Sequence, residues 1–382
     1  MPISHWMRAW AAAFMLLGQA AHAGPLEIAP PEEALTFARS YHNGMPDTLL
    51  LVTHYDTETV TGIDMSQALG RPVFDPIILY QALGREAILD ALKVIPESAA
   101  ISVPTHTLGM PVGLGGHHIA AAANFKAHAD DAEVEDGPFL FAKKVQPTPW
   151  NAPIPAGAAL LDYEAELCFV PLRDFPAVRP SKTFGLILCN DVTDRARLLQ
   201  NVDASNVRSG RGFLEGKSAP GYLPVGNLFV IPTDARAFAN ALTLWLAVNG
   251  ETRQEAPVSQ MVWSLDDILL ETEGIKSRRW MFAGKNGVIE AIGLPLENGR
   301  VPARAMILSG TPAGTVFEGI RPMHKVRGVL DYILGGWSRG PAYWVAKRYI
   351  AEEQTLGRYL KAGDRVHIRV DRMGELQNPV VD

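Results

Sequence analysis

The sequence predicts an α+β fold that is rich in strands and is preceded by a small N-terminal domain. Apolar and polar residues alternate along residues 242–248 as in a half-buried strand, and Asn249 and Gly250 then supply a hairpin signal. Further Asn-Gly pairs occur at residues 286–287 and 298–299. We find no regular repeat and no low-complexity tract, which excludes solenoids and propellers. At 382 residues the chain is long enough for two domains.

The composition is that of an ordinary globular protein with ample core. Hydrophobic residues make up 47% of the chain and charged residues 20%, and the formal net charge is -6. The body of the chain contains no long basic run of the kind that a nucleic-acid-binding surface needs. We therefore expect no nucleic-acid partner.

The N-terminal residues 1–23 have the features of a secretory signal peptide. Arg8 precedes an apolar stretch at residues 9–17, and Ala21 and Ala23 form a small-x-small cleavage site. An uncleaved anchor is the alternative, although the apolar stretch is short for a bilayer. No cysteine follows the cut, which argues against a lipid anchor. We expect a periplasmic or secreted protein.

Two segments follow the predicted cleavage site. Residues 24–116 mix short strand-like runs with one helical stretch and predict the small N-terminal domain. Residues 117–382 are dominated by strands and predict the second, larger domain. Within it, basic and aromatic residues at helical spacing form an insertion at about residues 316–360, where Pro341 suits a first helical turn. Such a stretch could lie on a membrane surface, although a helix packed on its own domain is more common.

Three acidic residues stand in two apolar runs that have the character of strands. Glu164 and Glu166 are two positions apart and therefore share one face of a strand, and Asp191 lies in the second run. Neighbouring acids on an apolar strand repel one another and lose hydration, so we expect a cation to compensate them. Mg²⁺ or Mn²⁺ accepts such oxygen ligands while leaving positions for water and substrate. The alternative is a solvated strand face on which acids alternate with core residues.

A series of ordered motifs accompanies these acids. They lie at residues 124–131, 139–143, 164–166, 190–195, 216–226, 246–250, 261–264, 309–314 and 374–380, and include Asn-Asp-Val-Thr-Asp-Arg and Ser-Gly-Thr-Pro-Ala-Gly. In this order and with this spacing they resemble the catalytic domain of the fumarylacetoacetate hydrolase family over residues 119–381. The resemblance implies a mixed β-roll or barrel, a homodimer, and Mg²⁺, Mn²⁺ or Ca²⁺ held by Glu164, Glu166 and Asp191.

The resemblance also implies roles for residues outside the acid triad. A lid histidine, steered by an acid three residues later, falls on His128 and Asp131, although most relatives have glutamate at the second place. The family's basic positions fall on Lys143, Arg195 and Lys217, which would bind a substrate carboxylate and the developing oxyanion. Because Lys144 follows Lys143, that assignment could shift by one residue. Thr311 matches a residue that holds the substrate carboxylate.

The implied activity is cleavage of a C–C bond in a small 2-oxo or β-diketo acid through a metal-bound enolate. Acylpyruvates and oxaloacetate are the corresponding substrates. A tautomerase or hydratase of 2-oxo acids is the first alternative, and a catalytically silent periplasmic dicarboxylate-binding protein is the second.

Departures from the family pattern, including a spacing from Asp191 to Lys217 that is a few residues longer than in most relatives, argue against hydrolysis of fumarylacetoacetate itself. The family's Asn-Tyr pair is Asn124 and Phe125 here, which removes a hydroxyl. Leu198 occupies the place of a glutamine that helps to form the oxyanion hole in hydrolytic relatives, and Gln200 lies two positions further on.

The two cysteines follow the same alternation as the acids. Cys168 lies two residues after Glu166, and Cys189 lies two before Asp191. If the two strands are antiparallel with Glu166 opposite Asp191, then Cys168 lies opposite Cys189 within bridging range. A shifted register would leave two inert buried thiols, and this second outcome is our expectation.

Overall fold

A computed structural model of the chain describes residues 26–96, 99–178, 183–283, 288–335 and 339–382. The expected signal peptide, residues 1–23, lies outside the described residues. Across the described part of the chain, no helix is long and apolar enough to cross a membrane.

The described strands are numbered here in chain order. They are β1 Ala34–His42, β2 Met45–Tyr55, β3 Thr59–Asp64, β4 Ala100–Pro104, β5 His117–Ala122, β6 Phe139–Lys144, β7 Ile154–Pro155, β8 Leu161–Asp162, β9 Ala165–Pro171, β10 Phe175–Pro176, β11 Phe184–Asn190, β12 Thr193–Asp194, β13 Phe229–Pro232, β14 Thr243–Val248, β15 Glu251–Pro257, β16 Trp280–Ala283, β17 Ile289–Ile292, β18 Arg300–Val301, β19 Ile307–Leu308, β20 Arg365–Val370 and β21 Gly374–Val381.

The described α-helices are numbered in the same way. They are α1 Met65–Leu69, α2 Pro76–Lys93, α3 Lys126–Asp131, α4 Arg195–Asn201, α5 Phe213–Lys217, α6 Ala235–Asn240, α7 Leu265–Gly274, α8 Pro322–Leu334 and α9 Pro341–Leu356. Helix α2 contains a break at Gly84, whose backbone is not helical.

Two large sheets organise the molecule. One has ten strands in the order β4-β3-β2-β1-β13-β11-β9-β19-β5-β6, and the other has five in the order β15-β14-β20-β21-β7. Both parallel and antiparallel pairs occur, since β19 runs parallel to β5 and antiparallel to β9. The prediction of a mixed, strand-rich α+β fold is confirmed.

The N-terminal segment shares a sheet with the strands that follow residue 116. Strand β1 pairs antiparallel with β13, with Phe37 opposite Phe229, and β2, β3 and β4 continue the sheet outward. Phe37 and Phe229 also belong to one continuous hydrophobic core. The expected boundary near residue 116 therefore does not separate two sheets, because β1 to β4 extend the central one.

The predicted hairpin after β14 is present. Asn249 and Gly250 connect β14 to β15 with backbone φ angles of 52° and 83°. Positive φ at both central residues suits the right-handed twist of the flanking strands, and asparagine followed by glycine adopts it readily. Asn298 and Gly299 form a second turn with φ angles of 51° and 73°, whereas residues 286–287 lie outside the described residues.

The insertion at 316–360 forms helices α8 and α9, which pack against each other. Helix α9 buries Tyr349 and Ile350 against Ala196 of α4, so its amphipathic pattern reflects packing on its own domain. Helix α8 keeps a face of large apolar side chains exposed, namely Met323, Val326, Leu330, Ile333 and Leu334. Contact with a membrane surface stays a prediction.

Strands β9 and β11 pair antiparallel and position the acids. Glu166 lies opposite Cys189. The ladder continues beyond β11, because the N–H of Asp191 donates to the carbonyl of Glu164 at 2.9 Å. The register with Glu166 opposite Asp191 is therefore wrong by two residues. A shift of two keeps every side chain on its face of the sheet, so the apolar pattern could not reveal it.

A disulfide joins Cys168 and Cys189 across these strands. The two residues are diagonal neighbours with Cα atoms 6.4 Å apart, a distance that a disulfide spans. The expectation of two inert thiols under a shifted register is therefore wrong, because diagonal positions on paired strands are close enough to be bridged.

We expect no free thiol when the non-reduced protein is unfolded and titrated with a thiol reagent. Reduction should lower the free energy of unfolding by about 3 kcal/mol, because the crosslink closes a loop with a sequence separation of 21. Denaturant titrations with and without reductant measure this difference. Two titratable thiols before reduction would contradict the disulfide.

Candidate metal centre and active site

The three predicted acids meet at one point of the central sheet. Glu166 lies in β9, Glu164 precedes this strand by one residue, and Asp191 directly follows β11. All three side chains are buried, and one carboxylate oxygen from each lies within 4.8 Å of the other two. This group could hold one metal ion.

The electrostatics of the triad differ from acid to acid. Burial and the charges of Asp191 and Glu164 hold the pKa of Glu166 well above its usual value. Its carboxylate accepts a hydrogen bond from the N–H of Gly310 at 2.9 Å. Burial also acts to raise the pKa of Glu164, but the charges of Lys217 and Arg195 lower it to about 2.

These features fit a hard divalent cation. The donor set consists only of carboxylate oxygens, which are the ligands that Mg²⁺ and Mn²⁺ prefer. The repulsion that raises the pKa of Glu166 is the interaction that a cation between the acids would relieve. We find no conflict between the residues present and such an ion.

Lys217 and Arg195 lie next to the triad, and their role in binding substrate stays a prediction. The Nζ of Lys217, at the end of α5, contacts Glu164 Oε2 at 2.7 Å and Asp191 Oδ2 at 2.8 Å. The guanidinium of Arg195, at the start of α4, donates to Asp162 at 2.8 Å and to Glu164 at 2.6 Å. Both side chains line the cavity in front of the triad.

Lys143 lies behind the triad and not in the cavity. Its Nζ donates to Asp191 Oδ1 at 2.5 Å and to the backbone carbonyls of Lys217 and Tyr222. These three acceptors occupy the ammonium group of Lys143. The prediction that Lys143 binds substrate is therefore corrected, because the side chain instead supports Asp191. Lys144 is exposed and pairs with Glu290, so the buried position belongs to Lys143.

His128 faces the cavity from the short helix α3. It is buried, and its Nδ1 has no hydrogen-bond partner among the described residues. Burial lowers its pKa to about 4, so the ring is neutral at neutral pH. Asp131 is exposed at the end of the same helix and makes no hydrogen bond to this Nδ1. The predicted pairing of His128 with Asp131 is therefore absent, because the two side chains point to different environments.

Thr311 follows the Gly310 turn and also lines the cavity. Its hydroxyl donates to the carbonyl of Ala165 at 3.0 Å and accepts from Gln254 at 2.9 Å. Asn124 holds the same loop by donating to the carbonyl of Ser309 at 2.8 Å. The loop is thus fixed against β9, and the role of Thr311 in binding a substrate carboxylate stays a prediction.

A cavity of about 350 Å³ opens in front of the triad. Its polar lining consists of His128, Glu133, Glu164, Asp191, Arg195, Lys217, Thr311 and Lys325. The remaining lining residues are apolar and come mainly from β6, α4, α5 and the segments next to them. Most of the candidate groups therefore share one pocket, and Lys143, Asp131 and Glu166 are not among its lining residues.

Sequence reasoning missed Asp162. This buried acid holds Arg195 and accepts the backbone N–H groups of Val316 and Phe317, which begin the insertion. The ring of Phe317 lies 5.4 Å from the Arg195 guanidinium carbon. The sequence did contain a signal for this residue, because Asp162 lies two positions before Glu164, as Glu164 lies two positions before Glu166.

The fold and this site together define an enzyme class. The family model for the fumarylacetoacetate (FAA) hydrolase C-terminal domain matches residues 117–381. The chain therefore belongs to the fumarylacetoacetate hydrolase family, whose members act on small acids.

Individual relatives are distant. The oxaloacetate tautomerase YisK of Bacillus subtilis (strain 168) is 25% identical over 276 residues, which cover 69% of this chain and 68% of that protein. The mitochondrial oxaloacetate tautomerase FAHD1 of Bos taurus is 27% identical over 228 residues, covering 57% of this chain and 90% of that protein. The solved fumarylacetoacetate hydrolase of Exiguobacterium antarcticum is 18% identical with a TM-score of 0.55, covering 91% of this chain and 99% of that chain. This last likeness confirms the fold.

Proposed function

We propose that the chain is an enzyme, dependent on Mg²⁺ or Mn²⁺, that acts on a small acid carrying a 2-oxo group. It cleaves the adjacent C–C bond of acylpyruvate-like or oxaloacetate-like acids, or interconverts their keto and enol forms. The observation that carries this proposal is the position of a buried, neutral His128 in the cavity that Glu164 and Asp191 of the acid triad also line. The relatives named as oxaloacetate tautomerases support the substrate class.

Each group at the site has a chemical task in this proposal. A divalent cation held by the triad would stabilise the negative charge that develops on the 2-oxo acid. The neutral ring of His128 accepts the proton that leaves carbon or water and later returns it. Lys217 and Arg195 present fixed positive charge to the substrate carboxylate while they also compensate Glu164.

Leu198 favours some of the reactions that use these groups over others. Its buried side chain lines the cavity, whereas Gln200 is exposed on the same helix and does not. The cavity therefore lacks an amide donor at the place where hydrolytic relatives have glutamine. Missing one oxyanion donor costs on the order of 10²- to 10³-fold in kcat. Reactions that need no tetrahedral oxyanion are favoured over hydrolysis.

We expect decarboxylation of oxaloacetate or keto–enol exchange to compete well with acylpyruvate hydrolysis. Leu198→Gln should raise hydrolysis selectively, and Gln200→Leu should not change it, because that amide lies outside the cavity. Product analysis by mass spectrometry and proton exchange measured by NMR quantify the three reactions. Efficient hydrolysis by the unchanged protein, with negligible decarboxylation and negligible keto–enol exchange, would contradict this assignment.

The decisive experiment is a screen of the purified protein with Mg²⁺ and Mn²⁺ against oxaloacetate and acylpyruvates. Turnover that requires the ion and is lost in a triad variant supports the proposed function. Tight binding of dicarboxylates without turnover would instead favour the silent binding protein.

We also propose that the protein is exported to the periplasm or secreted and that it forms a homodimer. The Cys168–Cys189 disulfide supports export, because such crosslinks persist in oxidising compartments. Fractionation of cells and light scattering of the mature protein test the two proposals separately.

A further inference from the structure

The cavity changes in character along three separate elements. Strand β6 carries Phe139, Phe141 and then Lys143 at alternate positions, which share one face and span about 13 Å. The side chain of Lys143 contacts Asp191 of the triad, and the two phenylalanines line the cavity further from the triad. The polar end of the strand therefore adjoins the triad and the aromatic end does not.

Helices α4 and α5 repeat this order. In α5, Phe213 precedes Lys217 by four residues, so the two side chains share a face one helical turn apart. In α4, Arg195 of the first turn contacts the triad, whereas Leu198 one turn later is apolar and lines the cavity. All three elements become apolar with distance from the acids.

Contacts between the elements show that their apolar parts meet. The ring of Phe213 lies 5.0 Å from that of Phe139 and 5.1 Å from that of Phe141, measured between centroids. The Nζ of Lys217 lies 6.0 Å from the ring of Phe141, which marks the change from charged to apolar lining. Val202 and Val207 continue the same wall. The far part of the cavity is thus a compact aromatic and aliphatic chamber.

The charges near the triad are almost balanced. Four buried carboxylates, those of Asp162, Glu164, Glu166 and Asp191, are accompanied by the three buried cations Lys143, Arg195 and Lys217. The net charge of these seven groups is therefore one negative charge, and a bound divalent cation would change it to one positive charge. A single substrate carboxylate restores neutrality.

A second substrate carboxylate would find no such partner in the far part of the cavity. Among the described lining residues, the one other cation is Lys325, which is paired with Glu133 at 2.6 Å. An ionised group placed against aromatic rings without a partner loses hydration and gains no compensation.

We propose that the substrate group remote from the 2-oxo acid is apolar, so that the preferred substrates are monocarboxylic acylpyruvates with an alkyl or aryl acyl group. This inference rests on the proposed function and assigns the substrate class of the same site. Dicarboxylic acylpyruvates of equal length are poorer substrates because their second charge enters the apolar chamber.

The first test compares butanoylpyruvate with succinylpyruvate, which have the same number of carbons and differ in a terminal methyl or carboxylate. We expect kcat/KM to be at least about tenfold higher for the methyl-ended acid. Relative to acetylpyruvate, the two added methylenes should raise kcat/KM roughly fifteenfold. Equal or better turnover of succinylpyruvate would overturn the inference.

A binding test separates failure of the inference from failure of the proposed function. N-butyl oxamate and N-(carboxypropyl) oxamate are non-reacting analogues with matched ends, and calorimetry in Mg²⁺ gives their affinities. Tighter binding of the butyl analogue supports the apolar chamber even if no 2-oxo acid is turned over. Tighter binding of the carboxypropyl analogue, or no binding of either, would overturn the inference.

A charge introduced into the chamber should reverse the preference. Val207 lines the chamber and is half-buried, so Val207→Lys can place an ammonium there without filling the core. We expect the ratio of butanoyl- to succinylpyruvate turnover to fall at least about tenfold. The matched control is Val178→Lys, since Val178 is 60% exposed and does not line the cavity. An unchanged ratio in a folded Val207→Lys protein would count against the chamber.

Discussion

Replacing Glu166 with glutamine should abolish binding of Mg²⁺ and Mn²⁺ and, with it, all turnover. The change removes one anionic ligand and retains the shape of the side chain. It also retains an oxygen that can accept the N–H of Gly310. Within the described part of the chain, Glu166 makes no ion pair, so no buried cation is left without a partner. Calorimetry measures the metal affinity, and assays with 2-oxo acids measure turnover.

The fold should survive this substitution. The pKa of Glu166 is raised, so its ionised form is unfavourable in the folded state and the neutral amide carries no such cost. The matched control is Glu290→Gln, an exposed acid paired with Lys144, which should bind metal normally. Asp191→Asn should also abolish binding, but Asp191 contacts both Lys143 and Lys217, so its effect on stability is larger. Unchanged metal affinity in both triad variants would refute the assigned metal site.

Replacing His128 with alanine should lower kcat by about 10²- to 10⁴-fold, the usual contribution of a positioned acid or base. Metal affinity should change little, because His128 is not part of the triad. Steady-state kinetics combined with calorimetry separates the two effects. A change in KM alone would make His128 a binding residue and would require another group to move the proton.

The pH profile offers a second check on His128. Burial lowers its pKa to about 4 from an ordinary value of 6.5, so the ring remains a neutral base over more of the acidic range. The acidic limb of kcat/KM that belongs to this residue should lie near pH 4 and should be absent in His128→Ala. A limb near pH 6.5 that disappears in the variant would show that the ring is solvated in solution.

Alternation along strands indicated the acids of the triad, and the accompanying motifs favoured a metal site over a solvated strand face. Glu164 and Glu166 share a face whatever the partner strand is, and two acids on an apolar face require compensation wherever they lie. The hairpin at Asn249 and Gly250 was equally accessible, because its turn depends on residues adjacent in sequence. Features that depend on local periodicity or on adjacent residues could therefore be predicted from the sequence.

Features set by tertiary contacts could not be predicted in this way. The spacing of His128 and Asp131 permits a contact on one helical turn, yet burial of α3 on one side sends only the histidine inward. Lys143 is turned away from substrate by backbone carbonyls of residues far along the chain. The strand register escaped prediction because a shift of two preserves the apolar pattern.

The contact of Lys217 with two of the three triad acids has a consequence for the order of events during biogenesis. Its ammonium group already forms ion pairs with Glu164 and Asp191, so the polypeptide alone compensates most of the buried negative charge. In small metalloproteins whose ligands have no such internal partner, ion capture and folding are one event. Under the proposed function, the chain would fold first and bind its ion afterwards, when the ion partly displaces the Lys217 ammonium group from the two acids. We therefore expect chelators to abolish the proposed activity without unfolding the protein, and we expect the ion bound to depend on which ion is available where folding ends.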